Sequence, residues 1–120
     1  SNFIQQDLIS FDIFARIFKD KKLNITIIPI EEQKKDEKSK QYLEQLLQYC
    51  QSHYKNFNFV IEHLSDANFL EDFELYVKKI DIDLILIPNK KRNIFARLFN
   101  PSIAHRMIFH SDIPMLVVPV

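Results

Sequence analysis

The 120-residue sequence contains no glycine, no tryptophan and a single cysteine. Glycine takes positive φ at little cost and lets a ligand come close to bare backbone. Its absence disfavours a phosphate cradle built from main-chain amides. It also leaves left-handed turns and helix C-caps to Asn24, Asn56, Asn89 and Asn93. One cysteine, Cys50, excludes an intrachain disulfide and suits a reducing compartment. It stands at helical spacing among Leu46, Leu47 and Tyr54 and reads as a small core residue. With no signal peptide and no apolar run long enough to span a bilayer, a cytoplasmic location and no membrane partner are expected. Excess charge is lacking too: the net charge is zero, so no general attraction to nucleic acid is implied.

What is present describes one globular domain, residues 1–120, with 47% hydrophobic and 12% aromatic residues. The charge is unevenly placed. From Leu84 to Ser111 there are five basic residues (Lys90, Lys91, Arg92, Arg97 and Arg106) and no acidic one.

Hydrophobic periodicity predicts a helix over Asn2–Lys19, with Ile4, Leu8, Phe11, Ala15 and Phe18 on one stripe. Ile9, Ile13 and Ile17 form a second stripe, so this helix is expected to be buried on more than one side, either deep in the domain or against another domain or subunit. A β-branched strand follows over Leu23–Ile30, closed near Ile28 by Pro29. Glu31–Lys40 is a charged, solvated loop. Next come a helix over Ser39–Tyr54, a strand over Asn56–Leu64 and a helix from Asp66 to about Lys79. Leu84–Ile87 is a buried strand, Pro88–Asn100 a basic loop, Pro101–His110 a helix and Met115–Val118 a final strand. Strands alternating with helices imply right-handed crossovers and a parallel sheet. Such a unit should open with a strand, whereas this sequence opens with a helix. The expectation is that a first strand is missing and that the chain is a piece of a longer protein.

Few residues carry chemistry. His53, His63, His105 and His110 are isolated, and His105 and His110 lie on different helix faces, so no metal ligand set is expected. No nucleophile–base set or carboxylate pair stands near the basic loop, so no catalytic residue is expected. Asp81 and Asp83 mark a strand boundary. Asn100, Pro101 and Ser102 read as a helix start.

The stretch Ile87–Arg106 and the ending His110–Val118 resemble the universal stress protein family. Its members end with a strand, a motif G-x2-G-x9-G-[S/T], a helix and a Pro-initiated strand. The resemblance implies a Rossmann-like three-layer α/β sandwich with parallel strands in the order 3-2-1-4-5. The absent strand would be the central first one, leaving a hole between the first and third strands of this sequence. The resemblance further implies the C-terminal repeat of a tandem-domain protein. Pro88, Lys91 and Pro101 stand in the places of the motif's glycines, and Ser102 keeps its hydroxyl position. Proline has no N–H to offer a phosphate, so the ATP motif is degenerate and no cofactor is expected. The implied function is a non-catalytic regulatory or interaction domain. In the family the last strand is an edge that pairs with another domain or subunit, here through Met115, Leu116, Val117 and Val118. The competing reading is a nucleotide- or phosphate-binding module for ATP or AMP. It would use the loop 89–97, with Asn89, Lys90, Lys91, Arg92 and the helix start at Ser102.

Overall fold

A computed structural model describes residues 7–29, 37–64, 69–79, 81–89 and 113–119. Its elements are α1 (Ile9–Ile17), β1 (Asn24–Ile27), α2 (Glu37–His53), β2 (Asn58–Ile61), α3 (Phe69–Lys79), β3 (Leu84–Asn89) and β4 (Met115–Pro119). The fold is α/β and Rossmann-like. All four strands are parallel, in the order β2-β1-β3-β4. The helix expected over Pro101–His110 lies outside the described residues.

The layering follows from the direction of each crossover. From β1 the chain moves one place outward to β2, then returns past β1 to β3. Right-handed connections in opposite directions put their helices on opposite faces. α1 and α2 accordingly share one face, where Leu8, Phe11, Ala15, Leu46 and Cys50 pack on Ile25, Ile27, Phe59, Leu84 and Leu86. α3 covers the other, with Phe73 and Tyr76 against Ile28, Ile85 and Ile87. The two strand sets alternate in sequence, as a period of two requires.

The expected hole between the first and third strands does not exist. β1 pairs directly with β3 in the register Ile25↔Leu84, Thr26↔Ile85 and Ile27↔Leu86. A reciprocal clamp sets this register. Asp83 N–H donates to the Asn24 carbonyl at 2.8 Å, and Asn24 N–H donates to the Asp83 carboxylate at 2.7 Å. Asp83 therefore does more than mark a boundary.

Two further expectations are revised. β3 runs through Pro88 to Asn89 instead of ending at Ile87. Leu86 turns its carbonyl toward β1, accepting from Ile28 N–H at 2.9 Å, so the alternation points the missing N–H of Pro88 the same way. The bond it would make, to the Ile28 carbonyl, is the last before Pro29, so the ladder with β1 ends there, while pairing with β4 carries β3 on to Asn89. Asn24, Asn56 and Asn89 also do not stand in for glycine, since no described residue has positive φ, and Asn93 lies outside the described residues. α1 instead ends at Phe18 with φ −107° and ψ 25°, its N–H donating to the Phe14 carbonyl, and a tight turn from Lys21 N–H to the Phe18 carbonyl follows.

Candidate functional site

In an open parallel sheet, ligands bind beyond the carboxyl ends of the strands where the strand order reverses. Here that point lies between β1 and β3. The strands leave it through Ile28-Pro29 and Pro88-Asn89, and Ile28, Pro29, Ile87 and Pro88 are all buried. The Ile28 N–H is already spent on the Leu86 carbonyl. Pro29 and Pro88 carry no N–H at all. The described floor of this crevice is apolar and poor in amide donors. It delivers the chain into the basic loop, whose Lys90, Lys91 and Arg92, together with Ser102, lie outside the described residues. Of the residues expected to meet a phosphate, only the backbone of Asn89 is placed, in register with Pro119 of β4.

β4 is the second candidate. It occupies one end of the sheet and pairs with β3 from Ile85↔Met115 to Asn89↔Pro119. Ile85 N–H donates to the Pro114 carbonyl at 3.0 Å. In a parallel ladder successive residues point alternately to either side. Leu116 and Val118 therefore turn their backbone groups toward β3, and Met115, Val117 and Pro119 turn theirs away from it. Met115 and Leu116 are half-buried, Met115 packing with the α3 side and Leu116 with the α1 side. At the opposite end, β2 has four residues, with Asn58 and Val60 exposed and Glu62 and His63 following. Short length and polar surroundings are devices that blunt an edge. β4, reading Met-Leu-Val-Val-Pro, has no charge to do so.

A cleft of about 320 Å³ lies at the other end of the sheet, and the sequence did not signal it. Lys19, His53, Lys55 and Asn56 surround it above Tyr54 and Phe57. Lys19 and Lys55 follow the C-termini of α1 and α2, where helix dipoles favour positive charge, and this accounts for them. The His53 ring stacks on Tyr49 at 3.8 Å, and its Nδ1 lies 3.0 Å from the Tyr49 carbonyl oxygen, an acceptor that fixes the proton on that nitrogen.

Cys50 is fully buried in the α2 core position expected of it, and desolvation pushes its thiol up to about 12. Such a thiol is a packing group and no nucleophile. Burial, together with Asp7, raises the phenol of Tyr42, which donates to Asp7 at 3.0 Å. Burial and Asp12 do the same for Tyr54, which donates to Asp12 at 3.1 Å. Among the described residues no group of three or more His, Cys, Asp or Glu could hold a metal ion, and no helix is long and apolar enough to cross a membrane.

Neither the curated proteins nor the solved structures offer a match to this chain. Residues 22–119 match the model of the universal stress protein family, from the start of β1 to the end of β4. The chain belongs to the universal stress protein family.

Proposed function

We propose that this chain is a non-catalytic regulatory or interaction domain of its family that acts by pairing through β4, with a second copy or with a tandem domain of the same fold. The observation that carries the reading is the uncharged outer edge of β4, beyond which no strand lies among the described residues and which turns the N–H groups of Met115 and Val117 away from β3. An antiparallel partner centred on Val117 would exchange both backbone bonds with its counterpart, and each Met115 N–H would meet a Pro119 carbonyl across the dyad. Pro119 has no N–H, so the pairing stops there and does not extend into a longer ribbon. The cytoplasm suits such a domain, since its one thiol is reduced and buried.

Val117→Pro tests this reading. The N–H it removes points off the edge, so the monomer should tolerate the change, whereas the paired edge should not. Sedimentation should show the assembly reduced to half its mass with the thermal transition preserved. An unchanged mass would refute pairing through β4, as it would for Val118→Lys.

A second reading rests on the place of the basic loop, which β3 delivers to the switch point. With Pro29 and Pro88 at the crevice floor, a ligand there would be held by the side-chain charge of loop 89–97 and not by amides. Calorimetry with ATP, AMP and tripolyphosphate tests it. Charge-based binding predicts similar affinities for ATP and tripolyphosphate, a steep loss with salt and abolition by Lys91→Ala. No heat with any of the three would remove this reading.

A further inference from the structure

The outward crest of α1 is apolar. Ile9, Ile13 and Ile17 are 61%, 58% and 70% exposed, and their spacing of four lines them up along the helix. Leu8, Phe11 and Ala15, on the opposite side, are buried against the sheet. A surface helix ordinarily turns charged residues outward. Here charge is confined to one flank of the crest, where Arg16 pairs with Asp12 at 2.9 Å. The other oxygen of Asp12 accepts from Tyr54, which holds the carboxylate in place. The sequence periodicity makes α1 apolar over much of its girth, and of its two apolar stripes only the one bearing Leu8, Phe11 and Ala15 is buried.

We propose that this crest packs antiparallel against the same crest of a second copy, across a dyad at Ile13. The stripe is symmetric about that residue: Ile13 meets Ile13, and Ile9 meets Ile17. Charge selects the orientation. When two helices pack antiparallel across such a dyad, like flanks meet. Asp12 lies one residue before the dyad and Arg16 three residues after it. The Arg16 of the other copy then comes within two residues of Asp12 along the axis, a rise of about 3 Å. Arg16 is 81% exposed and its guanidinium has donors beyond those that reach its own Asp12. A parallel pair would bring opposite flanks together and lose this match. The self-complementary flank favours a copy of this chain over an unrelated partner. The crest points away from the sheet, whereas the β4 edge lies in its plane, so both contacts can exist in one assembly. A patch of this kind is on the order of a few hundred Å², and the contact should be weak and concentration-dependent.

The test measures mass by sedimentation over a wide concentration range for the full chain, Ile13→Lys, Val117→Pro and the double variant. Ile13 is exposed, so its replacement should leave the thermal transition in place. The proposal expects Ile13→Lys to weaken self-association at least tenfold, with Val117→Pro acting separately and the double variant monomeric. Loss of assembly in Val117→Pro alone, with Ile13→Lys behaving as wild type, overturns the crest contact and leaves the β4 reading standing. The reverse pattern supports the crest contact and removes the β4 reading. A wild-type chain monomeric throughout overturns both. Orientation is tested by oxidation of cysteine variants, with buried Cys50 as a silent background. Ile9→Cys mixed with Ile17→Cys should cross-link faster than either alone. Faster self-linking of Ile9→Cys would overturn the antiparallel arrangement.

Discussion

Phe11 holds α1 on the sheet, and Phe11→Ala should remove much of the domain's stability. The side chain is fully buried. Its ring meets Tyr54 at 4.9 Å and 87°, Phe59 at 5.8 Å and 66°, and Phe57 at 6.2 Å and 75°. Edge-to-face pairs of this kind add about 0.5–1.5 kcal/mol beyond area burial. Truncating a buried phenylalanine to alanine costs about 3–5 kcal/mol, the upper part where the site cannot collapse. The ring lies between a helix and the α2–β2 corner, so no single side chain can move to fill the space. A domain of this size has only about 5–15 kcal/mol in total. α1, with nine residues, is too short to persist as a helix without its packing. Urea unfolding followed by tyrosine fluorescence, the chain having no tryptophan, should show the midpoint displaced by that amount. Hydrogen exchange should show α1 losing protection before β1 and β3. A loss below about 1 kcal/mol, with α1 still protected, would refute the role given to Phe11.

The Asp83 clamp should be worth about 1.5–3 kcal/mol, the range for a hydrogen bond to a charged group. Asp83→Ala should lose it in urea unfolding and Asp83→Asn should restore part, whereas equal stability of all three would refute the clamp. Thr26 Oγ1 and Tyr76 Oη lie 3.3 Å apart in the core. Thr26→Val and Tyr76→Phe should each destabilise, and their double-mutant cycle should show coupling on the order of 1 kcal/mol, with strict additivity counting against the pair. Alkali should weaken the fold. The native thiol of Cys50 ionises only at about 12, well above an unfolded cysteine, and burial also raises Tyr42 and Tyr54. The native state thus keeps protons that the unfolded state releases. Stability should hold below the unfolded cysteine's pKa of about 8.5 and fall above it, with Cys50 contributing at most about 1.4 kcal/mol per pH unit until its native pKa is passed. Cys50→Ala should flatten that slope, and a level profile to pH 11 would refute the assignment.

The parts of the fold legible in the sequence are those set by local pattern. The β-branched run of β1 and the Leu43, Leu46 and Cys50 face of α2 read correctly because period and propensity agree there. The misreadings share a non-local cause. Pro88 looked like a strand end, yet β3 continues past it because its other side pairs with β4, a fact about another strand. Of the two places open to the Ile9, Ile13 and Ile17 stripe, deep in the domain or against another domain or subunit, their exposure removes the first, which periodicity alone could not do. Asp83 looked like punctuation because its partner Asn24 is 59 positions away.

The pairing of β1 with β3 changes what the switch point can be. In an arrangement with a central strand between them, that strand's carboxyl end would form the middle of the crevice and could carry ligand groups of its own. Here the crevice is bounded directly by two strands that both leave through proline. Each proline removes an amide at the height where a phosphate would need one. β1 and β3 are joined by backbone pairing and the Asp83 clamp, neither of which supplies a donor on the carboxyl side. The direct pairing of β1 with β3 therefore gives the described residues an amide-poor crevice, while the uncharged β4 edge lies in the plane of the sheet and the exposed isoleucines of α1 lie above it.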